Sequence, residues 1–235
     1  MAYDLISFDL DGTLVDTAPE IAEAANRALQ SHGIARRSPE QITLLIGAGT
    51  RELMLKLLAH CLLEQPALAP RVQPHAVLAS FDEHYAVTTG SSGQPYAGCG
   101  ETLAQLKAAG LRLACVTNKE LRHARRVLEA HGLDSYFDLL IGGDSLPQKK
   151  PHASVLRHAA AMLSVDTLRT AHVGDSSIDI AAARNAGVAA WAVPHGYNAG
   201  VPISEAKPQR LFPTLPHVAE HVLAANRSTR ISWPH

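Results

Sequence analysis

The sequence is poor in the features that mark several large classes of protein. It holds 3 cysteines (Cys61, Cys99 and Cys115) in 235 residues. An odd count without CxxC spacing argues against a disulfide framework and a zinc site, and fits small core residues in a reducing compartment. No uncharged apolar run approaches the roughly 18–20 residues that a membrane helix needs. Neither charge is in excess: 21 Lys+Arg against 22 Asp+Glu leave −1, so no basic field exists to hold nucleic acid or an anionic membrane. The opening Met-Ala-Tyr-Asp lacks the basic start and apolar stretch of a secretory signal. A cytoplasmic protein that recognises its partners locally is the expectation. Internal repeats and low-complexity tracts are missing too. With 46% hydrophobic, 18% charged and 5% aromatic residues, whole-chain disorder is excluded and an ordinary globular core is affordable.

What is present is an alternation. Short apolar runs at 4–8, 111–116, 139–141, 170–173 and 188–193 read as buried strands, and helix-period segments at 19–31, 100–109, 121–131, 153–163, 178–186 and 215–225 lie between or after them. Gly110, Gly132 and Gly187 supply left-handed stops. This βα rhythm predicts an α/β fold with a doubly wound parallel sheet, a Rossmann-like core. Residues 19 to about 88 break the rhythm with amphipathic helical stretches, among them 51–63 and 74–87. They predict a helical cap inserted after the first strand, over 17–91, with 1–16 and 92–235 forming the core. The extended 15–19 and the turn-rich 89–95 are the expected hinges of a rocking lid, and 227–235 reads as a loose tail.

The residues that carry chemistry stand at strand ends, where open α/β sheets place their ligands. Asp9 and Asp11, followed by Gly12, bring two carboxylates into one cavity if the chain turns sharply there. One serves as nucleophile or metal ligand, and the other shuttles a proton. Thr117 and Asn118 close the second core strand, either to hold phosphate oxygens or as a helix N-cap. Lys150, beside Pro151, is a point charge suited to an anionic intermediate, or a surface lysine. Asp175 and Asp179 stand one helical turn apart, and oxygen ligands of this kind suit Mg²⁺. His172, flanked by apolar residues, reads as a core or interface histidine. Tyr197 and Asn198 are either supports of the site or turn residues.

In this order, the DxDGT box at 9–13, the Thr117-Asn118 pair, Lys150-Pro151 and the GDxxxD acids resemble the four motifs of the haloacid dehalogenase superfamily of phosphotransferases. The resemblance runs from residue 1 to about 195. Within it, Asp9-Leu-Asp-Gly-Thr-Leu-Val-Asp-Thr17, Gly142 to Pro151 and His195 to Gly200 are most similar to the bacterial phosphoglycolate phosphatases; Ala153 departs from the second proline of many relatives.

The resemblance implies Mg-dependent hydrolysis of a small phosphate monoester, 2-phosphoglycolate first. Asp9 is the implied nucleophile, forming an aspartyl phosphate, and Asp11 the acid and base. Thr117, the Asn118 backbone and Lys150 hold the transferring oxygens. The metal is held by Asp9, Asp175 and the Asp11 carbonyl, and Asp179 either joins the metal site or orients Lys150. Asp11 itself favours esters, since dehalogenases and phosphonate-cleaving relatives lack the second acid. Thr13 and Gly49 are further expected substrate contacts. Arg51, at a glycine turn before a helix start, is expected to read the substrate's distal anion, the alternative being a solvated arginine. A sugar-acid phosphate of the N-acetylmuramate 6-phosphate type, a nucleotide, or phosphosugar mutase chemistry are the other readings, and a monomer or homodimer is the expected assembly.

Overall fold

A computed structural model describes residues 2–231. Strand β1 (Leu5–Phe8) leads through the short β2 (Val15–Asp16) into helices α1 (Ala18–Ser31), α2 (Pro39–Thr43), α3 (Thr50–Glu64) and α4 (Pro74–Thr88). The chain returns through β3 (Gln94–Pro95) to α5 (Cys99–Ala108), β4 (Arg112–Val116), α6 (Leu121–Ala130), β5 (Leu139–Ile141) and α7 (Ala153–Met162). It ends with β6 (Thr170–Gly174), α8 (Ser177–Ala186), β7 (Ala189–Ala192), β8 (Arg210–Leu211) and α9 (Leu215–Ile231). The main sheet has the order β5-β4-β1-β6-β7-β8, and every pairing in it is parallel.

Alternation along the central strands sends their side chains to two faces. Ile6, Phe8, Leu113, Cys115, Ala171 and Val173 meet Leu103 and Leu106 of α5, Val127 and Leu128 of α6 and Val218 and Val222 of α9. Leu5, Ala114 and Val116 meet α7 and α8 through Val155, Leu156, Ile180 and Ala183. With both faces covered, the central strands are mostly apolar, as parallel strands require, with Ser7 and His172 as buried polar exceptions. The sheet winds outward in both directions from β1, which places the ends of β1, β4 and β6 at its topological switch point.

Helices α1–α4 share a core of their own, built from Ile21, Ala25, Leu29, Ile42, Leu53, Leu57, Phe81 and Tyr85. Local chemistry sets their starts. Proline opens α1, α2 and α4, and Ser38 with Gln41 forms a capping box on α2. The two chain crossings pair with each other, Val15 with Pro95 and Asp16 with Gln94, as an antiparallel ribbon. Two-residue strands carry no readable periodicity, so both this ribbon and the edge strand β8 escape sequence analysis. One expectation is corrected: 227–231 is the last part of α9 rather than a tail, because nothing in Ala224-Ala-Asn-Arg-Ser228 stops a helix. Residues 232–235 lie outside the described residues. No helix among them is long and apolar enough to cross a membrane.

The end of α4 rests on α6. Arg126 donates to the Ala86 carbonyl, Arg122 pairs with Asp82 at 2.6 Å, and the buried His123 places Nδ1 3.2 Å from Thr89 Oγ1 with its ring 4.5 Å from Tyr85. Burial, reinforced by Arg122 and Lys119, pushes His123 down to about 4. The unfolded chain therefore binds a proton that the folded chain refuses between about pH 6.5 and that value. Stability is complete above this window and falls as pH drops through it. Thermal melts from pH 7 to pH 4.5 are expected to show a shallower decline for His123→Gln than for the parent; parallel curves would remove His123 from the acid response.

Candidate active site

Three strand ends build the site. Asp9 directly follows β1 and donates its backbone N–H to the Val173 carbonyl at 2.9 Å. Asp175 follows β6, and Thr117 follows β4 with its N–H on the Ile141 carbonyl. The turn at Gly12 has φ +82°, and a Cβ there would lie 2.5 Å from Asp175 Oδ2. Only glycine allows both this backbone and this approach.

Lys150 is buried, with Nζ 2.6 Å from Asp179 Oδ1 and 2.9 Å from Asp9 Oδ1. Its backbone is gripped at both ends by one amide: Lys150 N donates to Asn118 Oδ1 at 2.9 Å, and Asn118 Nδ2 donates to the Lys150 carbonyl at 3.0 Å. The Asn118 side chain thus positions the lysine. Asp179 accepts Lys150 Nζ and His172 Nε2 on one oxygen, and the Ser176 N–H and hydroxyl on the other. Asp179 is thus in place to orient Lys150, and its carboxylate also belongs to the cluster with Asp9 and Asp175 that could hold a metal. His172, fully buried on β6, also lies 2.9 Å from Ser7 Oγ through Nδ1. Burial holds it below the usual imidazole range, and a neutral ring that presents Nε2–H to Asp179 accepts at Nδ1 from the Ser7 hydroxyl, which also reaches the Ala171 carbonyl.

Thr13, expected to touch substrate, is fully buried behind Asp175 and donates to its Oδ1 at 2.8 Å. The Tyr197 N–H donates to Asp175 Oδ2, and Asn198 Oδ1 accepts from the Ser177 N–H at the start of α8. Asp11 Oδ1 accepts from Thr17 Oγ1 at 2.6 Å and from Lys119 Nζ at 2.7 Å. Among the described residues no hydrogen bond falls on its Oδ2.

Asp9, Asp11, Thr117, Asn118 and Lys119 line a cavity closed from the helical side by Gly47, Gly49, Thr50, Leu53, Ile21 and Ile46. Water finds about 20 Å³ of room in it, about one molecule's worth. The closing loop is held by polar contacts: Asn118 Nδ2 on the Gly47 carbonyl at 3.2 Å, Lys149 Nζ on the Ala48 carbonyl at 2.7 Å, and Thr50 Oγ1 on the Glu120 carboxylate at 2.7 Å. Gly49 borders the cavity. Arg51 does not: it is exposed and lines a separate cleft with Leu78, Asp82 and Arg122. Lys119, Glu120 and Thr17 were missed by sequence reasoning, although Lys119 adjoins the Thr117-Asn118 pair.

The electrostatics are lopsided. Carboxylate oxygens of Asp9, Asp175 and Asp179 lie within 4.8 Å of one another, and among the described residues the one ammonium paired in this cluster is that of Lys150, with Asp9 and Asp179. Burial, with help from Asp179 and Asp11, pushes Asp9 up to about 6 even against Lys150. Burial and the neighbouring anions Asp179 and Asp9 push Asp175 well above its ordinary value. Asp179 resists its burial because Lys150 and His172 hold it low. Asp9 Oδ1 lies near Lys150 but out of alignment, and accepts no hydrogen bond. Two acids under strain and an unsatisfied buried oxygen fit a hard divalent cation such as Mg²⁺.

The family model of haloacid dehalogenase-like hydrolases matches residues 6–193. The chain is 43% identical over 192 residues to a phosphoglycolate phosphatase of Cupriavidus necator, covering 82% of this chain and 81% of that one. It is 37% identical over 221 residues to a phosphoglycolate phosphatase of Vibrio cholerae, covering 94% and 97%. A crystal structure of a predicted phosphoglycolate phosphatase from Haemophilus somnus superposes with a TM-score of 0.88 at 32% identity, over 93% of this chain and 97% of that one.

Proposed function

Because this chain belongs to the haloacid dehalogenase-like hydrolases, we propose that it is a phosphatase that hydrolyses 2-phosphoglycolate to glycolate and phosphate through an aspartyl phosphate on Asp9. The relatives above support the substrate, and so does the tightness of the cavity. It must open to admit any ester, and a two-carbon leaving group demands the smallest displacement of the loop at 47–50. A sugar phosphate demands far more.

Asp9 attacks phosphorus with a carboxylate oxygen, and the bond from phosphorus to the ester oxygen breaks. Asp11 gives its proton to the departing alkoxide from Oδ2, the oxygen free of protein donors, while Thr17 and Lys119 grip Oδ1. It then takes a proton from the water that cleaves the aspartyl phosphate. Lys150, fixed by Asp179 and by the amide of Asn118, neutralises charge on the transferring oxygens without reorganising. Thr117 adds a hydroxyl to the same wall. Asp9, Asp175 and the Asp11 carbonyl would hold Mg²⁺, which when bound lowers the repulsion between the anionic nucleophile and the phosphate. The helical segment at 17–91 acts as a cap that closes on the site and excludes water.

The observation that carries this reading is the pair of carboxylates after β1, one set against Lys150 and the other held by Thr17 and Lys119. Phosphate release across phosphoglycolate, sugar phosphates, sugar-acid phosphates and nucleotides tests it. Phosphoglycolate should lead in kcat/KM by about 100-fold or more, and EDTA should abolish turnover. A lead by another ester would overturn the substrate, and undiminished rates in EDTA would overturn the metal.

A further inference from the structure

Lys119 is among the largest fully buried side chains of the protein, an unusual place for an ammonium group. One hydrogen bond of 2.7 Å ties it to Asp11 Oδ1, and Nζ stands 5.0 Å over the Tyr85 ring. An ammonium carries three N–H donors; the Asp11 bond uses one and the neighbouring Tyr85 hydroxyl takes a second, which leaves a third. Lys119 therefore enters the cavity with spare hydrogen-bonding capacity and with positive charge adjacent to the proton-donating carboxylate. The opposite wall consists of Ile21, Ile46, Leu53 and the start of α3, so among the lining residues no second side-chain cation competes for an anion there. Lys150 is committed to Asp9 and Asp179 on the phosphate side, and Arg51 faces another cleft.

We infer that Lys119 is the residue that selects for an anionic group on the leaving-group side of the substrate. The inference rests on the proposed phosphatase reading and deepens it. Asp11 must reach the ester oxygen, and Lys119 touches Asp11. A carboxylate that binds Lys119 while the ester oxygen meets Asp11 is then separated from that oxygen by very few atoms, as in a 2-hydroxy acid phosphorylated on its hydroxyl. Longer acids would set the carboxylate against the apolar wall, where an unpaired charge is expensive. The two lysines thus divide the substrate, Lys150 taking the phosphoryl oxygens and Lys119 the carboxylate.

Phosphoglycolate and ethyl phosphate have leaving groups of equal length, one anionic and one neutral. kcat/KM for both is measured with Mg²⁺ for the parent enzyme and for Lys119→Met, whose folding is checked by circular dichroism. Since Lys119 also holds Asp11, both rates should fall in the variant. The preference for phosphoglycolate should itself collapse by about 10- to 100-fold, the scale of a charge-assisted hydrogen bond lost from a dry site. Lys119→Arg should restore most of it. An equal loss on both esters, leaving the preference intact, would reduce Lys119 to a positioning residue for Asp11 and overturn the inference alone. A parent enzyme without any preference for the anionic ester would overturn the phosphoglycolate reading as well. If the methionine variant does not fold, Lys119→Gln, which keeps a donor without charge, is subjected to the same comparison.

Discussion

Asp9→Asn is expected to cut phosphate release by at least about 10,000-fold while leaving a folded protein more stable than its parent. An amide is a poor nucleophile, and no other carboxylate can replace it: Asp11 is turned to Thr17 and Lys119, Asp175 to Thr13 and Tyr197, and Asp179 to Lys150. The stability gain has a separate cause. Asp9, Asp175 and Asp179 crowd within 4.8 Å around one ammonium, so the parent folds against mutual repulsion that a neutral amide relieves. In EDTA the gain should be on the order of 1–2 kcal/mol, read as a raised Tm. Added Mg²⁺ should stabilise the parent far more than the variant and narrow the gap. A folded variant that keeps more than about a hundredth of the parent's rate would sink the assignment of Asp9 as nucleophile, and a destabilised one would sink the repulsion argument.

The acids of this site were legible because each follows a strand end within three residues or lies one helical turn beyond such an acid. Asp9, Asp11, Asp175 and Asp179 needed only the βα rhythm and a glycine to be brought together. Lys119 was invisible for the opposite reason. Its partner Asp11 is 108 residues away, and a lysine two positions after Thr117 reads locally as a solvated charge. Arg51 shows how one residue changes the outcome. The glycine turn and helix start were read correctly, and Gly49 and Thr50 do border the cavity. Each further step along a helix rotates the side chain by about 100°, and that rotation carries Arg51 into the cleft beside Asp82. The amide of Asn118, read as backbone for the phosphate, has a side-chain task that depends on the loop at 150 folding back against it, which spacing alone does not express. The larger architecture was readable because buried parallel strands and left-handed glycine stops are local signals. The ribbon of β2 and β3 was not, since pairing over so few residues is decided by the cap and core it joins.

Lys150 offers the second large effect, and a double substitution separates its two tasks. Lys150→Met removes the one ammonium paired, among the described residues, with this cluster of buried acids. It leaves Asp179 with its His172 and Ser176 bonds but without the charge that compensates it. Breaking a buried pair from one side costs on the order of 3–5 kcal/mol, and the loss of charge neutralisation at the transferring oxygens should lower kcat by about 1,000-fold or more. Asp179→Asn in the same chain removes the stranded anion. The double variant should regain much of the lost stability, with a coupling energy of about 1–3 kcal/mol in a double-mutant cycle, yet regain no activity. That split follows from the proposed mechanism, in which Asp179 acts on the reaction through Lys150, whereas Lys150 acts on both the fold and the phosphoryl group. Denaturant melts and phosphate release on the parent, both single variants and the double variant complete the cycle. If stability and activity returned together, the lysine's effect on catalysis would be a consequence of folding alone. If neither returned, Asp179 would have a task of its own beyond holding Lys150, such as a share in the metal site that it would form with Asp9 and Asp175.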